Sequence, residues 1–284
     1  MIEVIFLIVL ALIWIVFATV QDLRVREVAN WLNFSLIIFA LGFRFFYSLF
    51  VESSSFNFFY QGLIGLGIFF IIGNLFYYGR IFAGGDAKLM IALGPILGFS
   101  HNLTINLKIY LTFVVIFLFV GGFYGIFNSV VLSLKNSKKF KKEFTNFLKK
   151  HRNLVGLVMF LGLVIMVLGF YDNLIFYLGV LVFILPYLYL FAKSVDESCM
   201  VEKIKTSKLT VGDWLYKDVK VKGKVIRKSW GGLTKTQIRN IKKKHKEVWI
   251  KQGIAFVPVF LISFLILLLF YFLNWLEILW NSFW

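Results

Sequence analysis

Two aspartates stand where apolar stretches end. Asp22 follows Ile2–Val20. Asp86 comes soon after Phe56–Tyr78, behind two glycines in Phe82-Ala83-Gly84-Gly85-Asp86-Ala87-Lys88-Leu89-Met90. An ionisable side chain beside bilayer-depth sequence is costly to place, so each is a functional candidate. Two carboxyls that share one proton can hydrolyse an amide without a metal or a covalent nucleophile. The carboxylate takes a proton from water, and the protonated partner polarises the carbonyl. Like charges so close resist ionising together, and the pair titrates in two separated steps. Gly84 and Gly85 would let an extended backbone approach Asp86 and permit unusual φ/ψ where a helix begins. Arg24, Arg26 and Lys88 lie near the pair in sequence and could tune its charge or hold an acidic group; lipid headgroups compete for that role. A single aspartate at a helix end is commonly a cap. Two of them, one behind Gly-Gly, lead to the expectation that helix packing brings Asp22 and Asp86 together at one membrane face.

The elements that must position them are apolar. The chain has 284 residues, 60% of them hydrophobic, and a mean hydropathy of +0.84. Soluble domains average about 45–50% apolar residues, so this is the composition of a membrane protein. The net charge of +17 reads as topology, because Lys and Arg gather in cytoplasmic loops; no nucleic-acid partner is expected. The lone Cys199 excludes an internal disulfide and a multi-cysteine zinc site. His101, His151 and His245 fall in three separate regions without ligand spacing, so neither a metal nor another cofactor is expected. No Ser/His/Asp set or P-loop is present. Met1–Val20 runs straight into Gln21-Asp22-Leu23-Arg24 without a small-residue cleavage pattern, so no cleavable signal is expected.

The expected fold is an all-α polytopic membrane protein of about 7–8 apolar segments with a small cytoplasmic α+β lobe. Ile2–Val20, Trp31–Phe50 and Phe56–Tyr78 are the first spans, with a polar turn at Glu52–Ser55 and Trp31 as an interfacial anchor. Gly62, Gly65 and Gly73 would let another helix come close, although ordinary glycine use in lipid explains them equally. Lys88–Gly98 is short, a half-length or tilted segment. Ile109–Leu134 follows, then the basic stretch Lys135–Arg152, an apolar hairpin Leu154–Ala192 turning at Tyr171-Asp172-Asn173, and the polar region Lys193–Gln252. Ile254–Leu276 is the last span, with Trp275, Trp280 and Trp284 as interface residues. The corresponding division is a catalytic core over 1–134, a basic loop and hairpin over 135–192, a basic lobe over 193–252 and a final transmembrane segment over 253–284. In the lobe, Val219, Val221 and Val225 alternate with lysines around Gly223, which predicts a β-hairpin. Thr234 and Gln237 fit a capping box flanked by Leu233 and Ile238. Ile238, Ile241, Val248 and Trp249 fall at helical spacing, and Asp196, Glu197, Glu202, Asp213 and Asp218 read as solvated surface. The positive-inside rule puts both basic regions in the cytoplasm. Counting spans back then places Asp22 and Asp86 on that face, provided Lys88–Gly98 returns the chain across the membrane.

Asp22-Leu23-Arg24-Val25-Arg26-Glu27-Val28-Ala29-Asn30 and Gly84-Gly85-Asp86-Ala87-Lys88-Leu89-Met90 resemble the two aspartate loops of the GxGD membrane aspartyl peptidases. Within them the chain is similar to the archaeal-type prepilin and preflagellin leader peptidases, over most of its length. The resemblance implies that Asp22 and Asp86 are catalytic, with Gly84, Gly85, Arg24, Arg26, Lys88 and Asn30 supporting the loops or the substrate. It implies a multi-pass protein of the cell membrane that removes short basic leaders from pilin-like or archaellin precursors, just before their hydrophobic stretch, at the cytoplasmic face. Partners would be those precursors and membrane lipids. A basic leader would have to meet Glu27, Asp22, Asp86 or anionic lipid. The chain departs from the pattern at Ala83, where the first glycine of GxGD would stand, and at Ala29, where many relatives have proline. It lacks the tetracysteine region of many bacterial relatives, so N-methyl transfer is not implied, and the hairpin Leu154–Ala192 is extra.

Two other classes compete. Intramembrane carboxylates beside a glycine-broken helix also suit a secondary transporter, but both aspartates sit at span ends and no inverted repeat is visible. A non-catalytic scaffold whose lobe binds partners is the third.

Overall fold

The computed structural model describes residues 2–51, 56–221, 224–229 and 231–283. The polar turn at Glu52–Ser55, the Lys222-Gly223 turn of the lobe hairpin and Trp284 lie outside them. In chain order the elements are α1 (Ile2–Val25), α2 (Asn30–Phe50), α3 (Asn57–Tyr78), α4 (Gly84–Leu93), α5 (Leu103–Lys135), α6 (Ser137–Lys150), α7 (Arg152–Leu168) and α8 (Asn173–Ser198). They continue as β1 (Val201–Lys205), β2 (Trp214–Leu215), β3 (Val219–Val221), β4 (Lys224–Ile226), α9 (Lys235–Lys242), β5 (Glu247–Lys251), α10 (Val257–Phe272) and α11 (Trp275–Phe283). Among the described residues, five helices (α1, α2, α3, α5 and α8) are long and apolar enough to cross a membrane. The number rises to seven if the bent pairs α6–α7, at 77°, and α10–α11, at 82°, each count as one span. The protein is an all-α polytopic membrane protein with a small sheet region. Two compact units form, Met1–Gly125 with Ile254–Trp284, and Ile126–Gly253.

In the first unit glycines set the closest helix approach. A Cβ at Gly73 would lie 2.8 Å from the Ile91 side chain and 2.9 Å from the Ala87 carbonyl, and one at Gly65 would strike the Gly94 carbonyl. Gly62 makes room for Arg44 instead. The residues after α4 continue this path: a Cβ at Gly98 would be 3.5 Å from the Gln61 carbonyl. The chain over Lys88–Gly98 therefore runs antiparallel to α3 from the level of Gly73 back to that of Gln61.

That far end is held by Arg44. Its side chain is fully buried, at 0% exposure. Its Nε donates to the Pro95 carbonyl at 2.7 Å, Nη1 to Phe58 at 2.8 Å and Nη2 to Gly98 at 2.6 Å. The guanidinium also lies 4.2 Å above the Phe58 ring. A charge with no water around it needs its donors satisfied, and the carbonyls freed where α4 ends supply acceptors. Asn106 completes this end, donating to the Gln61 side chain at 2.9 Å and to the Ser100 carbonyl at 2.7 Å. The last apolar segment does not continue as one straight span. Asn274, at φ 56°, sits where α10 turns into α11, and Trp280 of α11 donates to Thr112 at 3.2 Å.

In the second unit α7 and α8 form the extra hairpin. A Cβ at Gly162 would meet the Phe183 backbone N at 2.6 Å, and one at Gly179 the Met166 backbone N at 2.5 Å. Asp172 caps α8 by accepting the Leu174 N–H at 2.8 Å. The lobe's main sheet has the order β1-β5-β2, antiparallel throughout. The β3–β4 hairpin forms with Val219 opposite Ile226. The Thr234–Gln237 capping box is present in both directions. The helical stripe ends early: α9 stops at Lys242, and Val248 and Trp249 lie on β5. There Val248 and Ile250 point inward while Glu247 and Trp249 are exposed, a period of two rather than 3.6. Two acidic residues read as solvated instead tie the sheet to α8. Lys251 bonds Asp196 at 2.6 Å, and Tyr216 donates to Glu197 at 2.9 Å.

Candidate active site

Asp22 reaches the interior because it continues the buried stripe of α1, through Ile15, Ala18 and Thr19, at helical spacing. It is 6% exposed. Arg26 then closes α1 in the left-handed region, at φ 56°, and donates its N–H to the Asp22 carbonyl at 2.8 Å. The side chain faces the start of α10. Its Oδ2 accepts the Val257 N–H at 2.9 Å, and the Phe256 N–H acts on it electrostatically. Those N–H groups have no partner within α10 itself, and the helix dipole favours a negative charge there. Phe256, at the N-cap position, has no side chain able to accept them.

Asp86 is the third residue of α4, half-buried. Its Oδ2 accepts the Ala83 N–H at 3.3 Å, one half of a capping box; the alanine at N-cap has no acceptor for the other half. The loop is fixed by Phe82, buried at 1% exposure. Its ring packs 4.9 Å from Phe76, 5.6 Å from Phe117 and 6.1 Å from Phe256. Phe82 thus wedges the segment before Asp86 against the helix start that holds Asp22.

The two loops also touch directly. The Cβ position of Gly85 is 3.7 Å from Val28, and Gln21 pins the Val28 stretch by accepting the Ala29 N–H at 3.0 Å. Asp22 and Asp86, far apart in sequence, share one end of the helix bundle, and the charge of Asp22 acts on Asp86. Among the described residues no three His, Cys, Asp or Glu side chains converge as a metal cluster.

The supporting residues divide. Arg26 acts electrostatically on Asp22. Lys88 is committed to Asn30, donating to its Oδ1 at 2.7 Å, and so joins α4 to the start of α2. Arg24 is exposed. Gly84 and Gly85 do not use their conformational freedom: neither has a positive φ, and a Cβ on either would meet only ordinary contacts, 3.8 Å from Tyr77 or 3.7 Å from Val28. What they do is leave the first turn of α4 bare in front of Asp86. Sequence reasoning missed Phe256, Val257, Gln21 and Phe82. One signal was available for α10: Phe256-Val257-Pro258 starts a helix with proline in its first turn but without a capping side chain, leaving N–H donors for another element.

Residues 9–127 match the profile of the Type IV leader peptidase family. No curated protein and no solved structure matches the chain. The matched stretch runs from α1 into α5 and contains both aspartates, whereas α10, which holds Asp22, lies beyond it. Over residues 9–127, less than half of its length, the chain is similar to the type IV leader peptidase family.

Proposed function

We propose that the protein is a membrane aspartyl endopeptidase that removes the short basic leader of pilin-like or archaellin precursors, with Asp22 and Asp86 as its catalytic dyad at the cytoplasmic face. The observation that carries this reading is that Asp22 and Asp86 stand at the same end of the bundle, on loops in contact. Asp22 faces N–H groups at the start of α10, which stabilise a carboxylate. Asp86 receives a single longer bond from Ala83. The shared proton therefore resides on Asp86. Asp22 takes a proton from the attacking water while Asp86 polarises the scissile carbonyl and later protonates the leaving amine.

The cytoplasmic assignment rests on charge. Lys135–Arg152 and Lys193–Gln252 are strongly basic, which orients them inward. The antiparallel path of Lys88–Gly98 along α3 supports the span count that puts both aspartates on that face. The test is cleavage of a purified precursor by the reconstituted protein. Asp22→Asn and Asp86→Asn should each lower turnover by at least about 10²-fold, the lower range for losing a general acid or base. Either variant retaining normal turnover would refute the dyad.

A further inference from the structure

A groove of about 490 Å³ lies between α2, α3 and α4. Phe34, Leu63 and Phe70 line it and are exposed; on helices apolar enough to span, such side chains face lipid. Gly67 opens the wall, with nothing within 4 Å of its Cβ position. One end reaches Lys88, two residues beyond Asp86. Asn33 also lines the groove, is 1% exposed, and has no hydrogen-bond partner for either its amide nitrogen or its amide oxygen. Leaving one buried polar group unpaired costs about 1–3 kcal/mol, and the fold offers Asn33 nothing in return.

We propose that this groove binds the apolar segment of the precursor that follows the scissile bond, with Asn33 pairing to backbone groups at the start of that segment. The proposal rests on the peptidase reading above. A lipid acyl chain would fill the apolar walls but has no donor or acceptor for the Asn33 amide. The first turn of a helix has unpaired N–H groups, and the extended residues just before it have free carbonyls. The polarity also runs in the required order. A peptide leaving the aspartates passes Lys88, at the level of Gly73, before it meets Gly67 and then Leu63, as a chain cut just ahead of its apolar stretch would.

The experiment uses full-length protein reconstituted in lipid with a precursor that retains its apolar segment. A photoreactive benzoylphenylalanine replaces Phe34, or replaces Phe119 on exposed α5 as a control, in the Asp86→Asn background, so that binding is read without turnover. The groove position should capture the precursor at least about tenfold more than the control, the scale of an apolar pocket contact. Gly67→Leu should suppress that capture, and in otherwise wild-type protein it should raise KM for the precursor by a similar factor with kcat unchanged. Asn33→Ala should raise KM in the same way. Equal capture at both positions, capture of lipid alone at position 34, or an unchanged KM in Gly67→Leu overturns the groove. Wild-type protein that cleaves no precursor overturns the peptidase reading instead, and the occupant with it.

Discussion

Asp22 has two jobs, and substitution separates them. In the proposed dyad its carboxylate activates water, and one oxygen also caps α10 through the Val257 N–H. Asparagine keeps an oxygen that can accept the same bond; alanine does not. Both variants should lose cleavage, but only Asp22→Ala should also lose about 1 kcal/mol of stability, the usual cost of an absent N-terminal cap. Thermal unfolding in detergent checks this, and equal melting temperatures for the two variants would remove the capping role. The proposed dyad also fixes the form of the expected pH dependence. Activity needs one proton on the pair. It should fall on the acid side as the Asp22 carboxylate is protonated, and on the alkaline side as the Asp86 proton is lost, giving a bell in kcat/KM. A profile that rises to a plateau at high pH would mean that no protonated carboxyl is required. The aspartates were legible because charge is scarce in such sequence and each stood at the edge of an apolar run. The α10 donors were not, because a backbone N–H leaves no mark of its own in a sequence.

Among the elements, α3 and α4 form the joint that carries Asp86, and glycines decide how close they come. Gly65→Ala would drive a Cβ into the Gly94 carbonyl and to 2.7 Å from the Tyr110 hydroxyl, whereas Gly67→Ala meets nothing. The first should cost about 1–3 kcal/mol, the range for overpacking, and should lower activity by displacing α4; the second should leave stability unchanged. Denaturation midpoints of the two variants beside wild type measure the difference, and a Gly65→Ala protein as stable as wild type would show that the helices can part freely. Gly65, unlike Gly67, was among the glycines expected to admit another helix, yet ordinary glycine use in lipid explained it equally, and type and spacing could not choose between the two explanations. Only the partner helix distinguishes them. Local signals fared better where they carry their own geometry: Thr234 and Gln237 marked the start of α9 because both halves of that cap lie within four residues. The far end of α9 was misjudged because Val248 fits either period, and the β1 and β2 partners that make it a strand lie well upstream in the sequence.

For the whole molecule the question is which face bears the aspartates. Hydropathy outlines spans because the bilayer core demands apolar length, yet it is silent on direction; only the lysines and arginines speak to that. α5 passes the aspartate end at Gly121, whose Cβ position is 3.0 Å from Phe256, and continues without a break to Lys135. The basic α6 follows directly, turned by 77° from α7. Leu103, at the start of α5, belongs to the Arg44 end, where Asn106 bonds Gln61. A helix sharply bent from an apolar neighbour, with phenylalanines among its lysines, suits the headgroup region of an anionic leaflet. In a Cys199→Ser background, a cysteine at Lys149 should react with an impermeant maleimide only in inside-out vesicles. One at Leu103, 41% exposed, should react only in right-side-out vesicles. The opposite pattern would move the dyad to the outer face, where a leader still in the cytoplasm could not reach it. Labelling of both sites from one side would mean that α5 does not cross the membrane, and the span count behind the orientation would fail.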